Sequence, residues 1–142
     1  MKKQVSNNTN PLKHPDQRVG VFVDVQNMYY SAKNLYGKKV HFGNIVQDLV
    51  ASRKLIRAIA YVVRTESQDE VPFFDALYNL GIETREKMLQ VYDSGFKKAD
   101  WDVGLTVDAI RLAPSLDAII IVSGDGDYLP LVEYIQKSTG KQ

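Results

Sequence analysis

The 142-residue chain has a net charge of +1, a hydrophobic content of 44% and a charged content of 25%, as expected for one soluble globular domain. It contains no cysteine, which excludes disulfides, zinc–thiolate sites and thiol nucleophiles. No apolar run reaches the roughly 18 residues of a membrane span, and none follows Lys2 and Lys3, so we expect a cytoplasmic protein with no signal peptide and no membrane partner.

The N-terminal residues 1–17 show little hydrophobic periodicity and are predicted to form a flexible tail. Ordered structure is predicted from Arg18, because the apolar run 19–23 is typical of a central parallel strand, and this strand ends at Asp24. The rest of the chain alternates between helical and strand-like patterns. The predicted helices are 27–36, 42–52, 69–80, 101–113 and 127–137, and the further predicted strands are 58–63, 82–87 and 118–122.

Local signals refine these elements. Gly81 stands where a helix commonly ends, and Pro114 limits the helix before it. Strand 82–87 alternates apolar or small residues with charged ones, which favours an edge strand, whereas 88–99 reads as a loop or short excursion. Alternating strands and helices predict an α/β fold with three layers, in which helices cover both faces of a mostly parallel sheet.

Charge is distributed unevenly along the chain. Residues 1–64 contain 11 Lys or Arg against 3 Asp or Glu, whereas residues 100–127 contain 6 Asp and a single basic residue, Arg111. An acidic focus beside a basic first half favours a metal-dependent enzyme that acts on a polyanion. Charges scattered over solvated faces explain the same counts equally well.

Aspartates follow the two most apolar strands of the predicted sheet. Asp24 ends the first strand, and Asp125 and Asp127 follow the last one. Functional groups of an open α/β sheet gather at the carboxyl ends of its strands, and the helix after Asp100 and Asp102 is expected to begin at that same edge. We therefore expect Asp24, Asp102 and Asp125 to lie close together.

A cluster of this kind favours a bound cation. Two carboxylates about 4 Å apart repel by about 4 kcal/mol at an effective dielectric of 20. Oxygen ligands, with only His14 and His41 as nitrogen donors, favour Mg²⁺ or Mn²⁺ over zinc. A metal held by a few carboxylates can activate water and stabilise the leaving oxygen, which is the chemistry of phosphodiester hydrolysis.

Each candidate residue also has a structural interpretation. Asp102 and Asp127 could cap helices, and Asp24 could be a turn residue. Asn27 could orient a carboxylate or a phosphate, or cap the first helix. Asp108 falls on the apolar stripe of its helix, so it is either a satisfied structural hydrogen-bonding group or a functional carboxylate.

Other polar groups frame the acidic motifs. Ser123 lies in a glycine-containing loop where its hydroxyl could contact a phosphate, and Lys97 and Lys98 directly precede the Asp100 motif. No Walker or G-x-G-x-x-G motif is present. The remaining candidates are cations for a phosphate-binding rim, namely Arg57, Arg64, Arg85 and Lys87, and aromatic residues for base stacking, namely Tyr29, Tyr30, Trp101 and Tyr128. We expect most of these aromatics to pack in or over the core and no more than one or two to stack on bases.

Three segments carry a resemblance to a known family: VFVDVQNMY at 21–29, KADWDVGLTVD at 98–108 and VSGDGDYLPL at 122–131. In this order and spacing, from about Arg18 to the last residue, they resemble the NYN domain, particularly its LabA-like branch in the PIN-like nuclease superfamily. The resemblance implies a Rossmann-like (PIN-like) fold and cleavage of RNA or other single-stranded nucleic acid with Mg²⁺ or Mn²⁺.

The resemblance also assigns residues. The positions that match the metal-binding acids of the family are Asp24, Asp102, Asp125 and Asp127. Asn27 and Asp108 match further motif positions and are catalytic candidates, whereas Asp100 is an additional acid. Residues 138–142 look like a turn towards another strand, so we expect the domain, 18–142, to stop before the last strand of the family.

Three functions remain open from the sequence. The leading hypothesis is a metal-dependent endoribonuclease in which Lys97, Lys98, Asn27 and Ser123 contact the substrate. The alternatives are an RNA- or protein-binding regulatory module with little catalysis, and a metal phosphohydrolase acting on small esters. The edge strand near Ile82 is also a candidate surface for a homodimer.

Overall fold

The computed structural model describes residues 14–25, 42–64, 71–88, 90–91, 97–98, 100–123 and 126–142. Its strands are β1 (Arg18–Asp24), β2 (Lys54–Arg64), β3 (Glu83–Met88), β4 (Gln90–Val91), β5 (Lys97–Lys98) and β6 (Ala118–Val122). Four of them form a parallel sheet in the order β3-β2-β1-β6, and β4 pairs with β5 as a small antiparallel ladder.

Helices cover both faces of this sheet. They are α1 (Phe42–Val50), α2 (Val71–Asn79), α3 (Asp102–Leu112) and α4 (Leu129–Tyr134). Two 3₁₀ turns, Ala113–Ser115 and Gly126–Tyr128, and a π-helical turn, Ile135–Thr139, complete the helical segments. Because α1 and α2 pack on one face and α3 and α4 on the other, the predicted three-layer α/β architecture is confirmed.

The central strand β1 explains why its sequence is continuously apolar. Val21 and Val23 point into the core with α1 and α2, whereas Phe22 points into the core with α3 and α4. Residues 19–24 are all buried, since a central parallel strand is covered on both sides. Asp24, two residues after Phe22, faces the α3 side of the sheet.

The predicted strands agree with the structure, with one difference in length. Strands 19–23, 82–87 and 118–122 correspond to β1, β3 and β6, and β3 lies at the edge of the sheet as predicted. However, β2 begins at Lys54, four residues before the predicted start. Its first residues are exposed and pair only with β1, because the ladder with β3 starts at Ile59, so apolar patterning does not reveal them.

The helix boundaries differ more. The α-helical part of the segment before Pro114 ends at Leu112, and the proline lies in the 3₁₀ turn that follows. The last predicted helix, 127–137, contains only six α-helical residues between a 3₁₀ and a π-helical turn. Gly81 follows α2 with φ of +80°, as expected for its position. The predicted helix 27–36 lies outside the described residues.

The order of the strands indicates which edge of the sheet could bind a ligand. From β1 the chain moves outward to β2 and β3 on one side and returns to β6 on the other side. The order of the strands therefore switches between β1 and β6, and ligands of open α/β sheets bind at the carboxyl ends of the strands beside such a switch. Asp24 is the last residue of β1. Among the described residues, no helix is long and apolar enough to cross a membrane.

Both ends of the described chain contact the amino edge of the sheet. The carbonyl of Gln17 accepts a hydrogen bond from the backbone N–H of Lys54, so the turn before β1 is already attached to β2. Gln142 lies beside β6, where it donates to the carbonyl of Asp117 and accepts from the N–H of Ile119.

Candidate active site

One tyrosine joins two of the predicted acidic motifs. The Tyr128 hydroxyl lies 3.1 Å from Oδ2 of Asp24 and 3.2 Å from Oδ1 of Asp102. Asp24 is 7% exposed and Tyr128 is 4% exposed, so the contact is buried at the carboxyl edge of the sheet. The expectation that Asp24 and Asp102 lie close together agrees with this geometry.

The pair is electrostatically costly. The two contacting oxygens are at most roughly 6 Å apart, which corresponds to a repulsion of about 3 kcal/mol at an effective dielectric of 20. Burial and the nearby charges of Asp24 and Asp102 raise the pKa of Tyr128 well above its ordinary value, so its hydroxyl stays protonated. A neutral hydroxyl donates only one hydrogen, and it therefore relieves only part of the repulsion between two ionised carboxylates.

The start of α3 is held against the sheet by Trp101. Its indole Nε1 donates to the carbonyl of Val62 at 2.9 Å, and its ring packs on Tyr61 with centroids 5.3 Å apart. Trp101 itself occupies the N-cap position, so Asp102 is not the helix cap and its carboxylate points to Tyr128 instead. Asp100 has a structural part in this turn, because its Oδ1 accepts a hydrogen bond from the N–H of Asp102 at 3.3 Å.

Of the other predicted site residues, the structure describes Asp127 and Ser123 but not Asp125 or Asn27. Asp127 is exposed in the 3₁₀ turn that carries Tyr128, and Tyr128 rather than Asp127 occupies the N-cap position of α4. Ser123 follows β6 directly and is half-buried beside the end of β1. Asp125 and Asn27 lie outside the described residues. β1 and β6 are adjacent, as the prediction for Asp125 requires.

The donor chemistry of the pair fits Mg²⁺ or Mn²⁺. Both groups are carboxylates, which these hard cations prefer, and they come from different elements to one point. Within the described ranges, no group of three Asp, Glu or His residues could hold a metal. A complete ligand set would therefore have to include Asp125, or Asp127 in another side-chain orientation.

Asp108 belongs to a separate network. Its Oδ2 accepts hydrogen bonds from Arg85 and from the Tyr61 hydroxyl (2.9 Å), and its Oδ1 accepts one from Arg111 at 3.2 Å. It lies six residues after Asp102, which is about 9 Å along the helix. Of the two predicted interpretations of Asp108, this geometry favours the satisfied hydrogen-bonding group.

This network also sets the charge of Asp108. Burial would raise the pKa of its carboxyl group, but hydrogen bonds from Arg85, Tyr61 and Arg111 outweigh burial and hold the pKa below its ordinary value. Asp108 therefore stays ionised near neutral pH. For the buried Tyr61, burial and the bond to Asp108 raise the pKa well above its usual range.

The predicted basic rim is divided between the two faces of the sheet. Arg57 forms two hydrogen bonds with Glu83, at 2.8 and 2.7 Å, so its charge is neutralised by one acid. Arg64 pairs with Glu86 and lies over the Phe74 ring, on the face opposite the acid pair. Lys87 lies on the same face as the acid pair, with its Nζ 2.6 Å from the Asp100 carbonyl and 4.3 Å from the centroid of the Trp101 ring.

Two further sequence predictions have different outcomes. Trp101 and Tyr128 are buried, which agrees with the expectation that most of the candidate aromatics pack in the core and leaves these two no role as base-stacking platforms. Tyr29 and Tyr30 lie outside the described residues. Lys97 and Lys98 form β5, next in the chain to the start of α3, and their side chains are not described.

A cavity of about 600 Å³ lies away from this edge. It is lined mainly by α1, the start of β2 and the turn after α2, with Val50, Leu55 and Leu80 among its apolar walls. It opens at the amino end of the sheet and has no titratable side chain in its described lining. The acid pair is therefore the better candidate for a catalytic centre.

Sequence reasoning missed the bridging role of Tyr128 and the position of Lys87. The tyrosine follows Asp127 directly at a strand-to-helix connection, and this position was the available signal that its hydroxyl reaches the carboxyl edge. Lys87 lies on the same face of β3 as Arg85, but its contact with Asp100 depends on a tertiary approach that no local pattern encodes.

Comparisons with known proteins agree with the fold. The NYN domain family model matches residues 18–142. The chain is 29% identical over 130 residues to the low amplitude and bright protein LabA of Synechococcus elongatus, covering 84% of this chain and 68% of LabA. A crystal structure of a protein of unknown function from Vibrio parahaemolyticus superposes with a TM-score of 0.81 at 34% identity, covering 90% of this chain and 79% of that one. The chain therefore belongs to the NYN domain family, in its LabA-like branch.

Proposed function

We propose that the protein is a metal-dependent nuclease that hydrolyses phosphodiester bonds in RNA at the Asp24–Asp102 pair. The observation that carries the proposal is the contact of both carboxylates with one buried hydroxyl, that of Tyr128. It brings two acids from separate motifs to the strand-order switch, where α/β proteins bind substrates. Membership of a family with nuclease-like members supports the reaction class.

In this proposal Asp24 and Asp102, with Asp125 and Asp127, hold Mg²⁺ or Mn²⁺. When bound, the metal supplies a water of lowered pKa and neutralises charge on the phosphate oxygens. Burial of Asp24 keeps its carboxylate fixed and limits access of bulk water, while the Tyr128 hydroxyl holds it beside Asp102.

We expect the substrate side of the centre to be basic and polar. Lys97 and Lys98 would contact backbone phosphates, and Asn27 and Ser123 would orient the reacting phosphate through an amide and a hydroxyl. We expect the substrate to be RNA or another single-stranded nucleic acid. We also propose that the protein acts in the cytoplasm, where RNA and free magnesium ions occur together.

The test uses the purified full chain, labelled single-stranded RNA of mixed sequence, and Mg²⁺ or Mn²⁺, with products separated on denaturing gels. We expect cleavage that chelation abolishes. Asp24→Asn and Asp102→Asn should each lower the rate by more than the roughly 10–100-fold typical of groups that only support a metal ligand. Circular dichroism and thermal melting check that the variants remain folded.

Asp75→Asn is the matched control, because Asp75 is an exposed aspartate of α2 on the other face of the sheet. Cleavage that is equally fast in the Asp24→Asn variant would overturn the proposal. Metal binding by calorimetry without cleavage of RNA or DNA would also overturn it, in favour of a binding module. Turnover of simple phosphate esters without cleavage of RNA would identify a phosphohydrolase instead.

A further inference from the structure

The edge strand β3 places two cations on the same face of the sheet as the acid pair. Arg85 bonds to Asp108 of α3, and Lys87 lies over the Trp101 ring at the start of the same helix. Glu86, between them in sequence, pairs with Arg64 on the opposite face. Alternation along the strand therefore directs Arg85 and Lys87 towards the face of the acid pair and Glu86 away from it. Glu83 also lies on that face, where Arg57 neutralises it.

Lys87 has no ion pair with a carboxylate in the part of the chain that the structure describes. Its ammonium group donates to the neutral carbonyl of Asp100 at 2.6 Å and lies 4.3 Å from the centroid of the Trp101 ring. These contacts fix the position of the charge without neutralising it. Because Asp100 precedes Asp102 by two residues, the ammonium group is held beside the turn that leads to Asp102.

Positive charge is also in excess around Asp108. Two guanidinium groups, those of Arg85 and Arg111, bind this single carboxylate, and their side chains are 47% and 59% exposed. The neighbouring Arg57 differs, because Glu83 neutralises it one to one. One net positive charge therefore remains on the solvent side of the Asp108 network.

Strand geometry sets the spacing of two of these cations, Arg85 and Lys87. Asp24, Tyr61 and Arg85 form one row across β1, β2 and β3, so the backbone of Arg85 is about 10 Å from that of Asp24. Arg85 and Lys87 are two residues apart, which is about 6.6 Å along the strand. That step is close to the separation of neighbouring phosphates in an extended single strand of nucleic acid.

We propose that Lys87, Arg85 and Arg111 form a track that binds successive backbone phosphates of single-stranded nucleic acid leading away from the acid pair. The substrate class rests on the proposed nuclease function. Trp101 lies beneath the cations and is buried, so it offers no stacking surface to the bases. The track therefore holds the backbone without reading sequence.

The track predicts a change in the salt dependence of binding. Affinity for labelled oligouridylate is measured by fluorescence anisotropy in EDTA, which prevents cleavage, across a series of salt concentrations. Each phosphate contact on a single strand contributes about 0.7 to the slope of log affinity against log salt. We expect Lys87→Gln and Arg111→Gln each to reduce the slope by about 0.7, and Lys87→Arg to restore it. Oligoadenylate should give the same changes.

Lys54→Gln is the matched control, because Lys54 is an exposed lysine of β2 at the opposite, amino edge of the sheet. For Lys54→Gln, the slope of log affinity against log salt should equal that of the wild type. Wild-type slopes in both the Lys87→Gln and Arg111→Gln variants would overturn the track, as would a wild-type protein that does not bind the oligonucleotide.

The experiments can contradict the track without contradicting the nuclease proposal, and the reverse. Reduced slopes with no cleavage in either metal would uphold the track and overturn the nuclease. Cleavage that depends on Asp24 together with unchanged slopes would uphold the nuclease and overturn the track.

Discussion

The Tyr128 hydroxyl is shared by residues that are far apart in the chain. Asp24 is 104 positions from Tyr128, and Asp102 is 26 positions from it. The tyrosine ring packs in the core between the sheet and α4, so its hydroxyl has little freedom to move. We infer that Tyr128 positions the two carboxylates and does not take part in the chemistry directly.

Tyr128→Phe tests this role, because it removes the hydroxyl and keeps the ring. Loss of a group that orients metal ligands typically weakens metal affinity about 10–100-fold. We expect that change in the Mn²⁺ dissociation constant measured by calorimetry, with little loss of fold in thermal melts. Tyr134→Phe makes the same chemical change at a half-exposed residue beyond the site. Equal Mn²⁺ affinity in both variants would exclude a positioning role for Tyr128.

At the scale of elements, the start of α3 depends on a close approach between a glycine and an indole ring. A Cβ atom on Gly104 would lie 2.6 Å from Cε3 and 2.8 Å from Cζ3 of Trp101. The ring cannot move away easily, because its Nε1 is hydrogen-bonded to the carbonyl of Val62 and the ring packs at a tilt against Tyr61. Glycine is therefore required inside this helix despite its low helix propensity.

Gly104→Ala should destabilise the protein although alanine favours helices. The gain in propensity is about 1 kcal/mol, whereas overpacking of a rigid core typically costs about 1–3 kcal/mol. We expect a net loss of about 1 kcal/mol in urea unfolding. Val103→Ala, at an exposed position of α3, should change stability by less than about 0.5 kcal/mol. A Gly104→Ala variant as stable as the wild type would show that Trp101 can shift.

Element-level prediction succeeded where burial imposes a simple pattern. β1 is covered on both faces, so its run of Val and Phe predicts a central strand, and the topology then brings Asp24 and Asp102 to one edge. The run of Ile in β6 also predicts a strand, but β6 lies at the end of the described four-stranded sheet and its residues 119–121 are only half-buried. Element-level prediction failed for the start of β2, which is exposed, and for the last helix, which divides into three helical types. Those features depend on pairing and packing that leave no periodic pattern in the sequence.

At the scale of the whole molecule, ion pairs join elements on the α3 side and at the amino edge of the sheet. The pKa values of Asp108, Glu83 and Asp117 are all lowered; for Glu83 and Asp117 the main cause is a hydrogen bond from Arg57 or Arg18. A carboxyl group whose pKa is lower in the folded state stabilises the fold above its unfolded pKa of about 4. That stabilisation is lost as the pH falls through the folded pKa.

The contribution of Asp108 can be isolated by comparing the wild type with Asp108→Asn across pH 3–7. Removing the charge that two arginines share should cost about 1–2 kcal/mol of unfolding free energy near pH 7, after allowance for the exposure of both arginines. The difference between the two proteins should be constant above about pH 5 and should shrink below about pH 4. A difference that is independent of pH in urea titrations would contradict the ionised state of Asp108.

Much of the candidate site follows from sequence, but its charge balance does not. Topology is enough to predict that Asp24 and Asp102 lie at the same edge. Whether Asp108 joins them is decided by Arg85, a residue of a different strand that reaches across Tyr61. Tertiary contacts of this kind separate a structural carboxylate from a catalytic candidate, and no spacing along the chain encodes them.

The turn at Gly81 determines the sign of the charge that β3 presents on the α3 side of the sheet. Its positive φ and the hydrogen bond from the N–H of Ile82 to the carbonyl of Leu77 fix where β3 begins, and therefore which of its side chains face α3. Inserting one residue at this turn would rotate every side chain of the strand to the other side of the sheet, so that Glu86 replaced Lys87 above Trp101. An uncharged insertion would leave the net charge unchanged, yet Glu86 in place of Lys87 would repel the polyanion that this surface is proposed to bind.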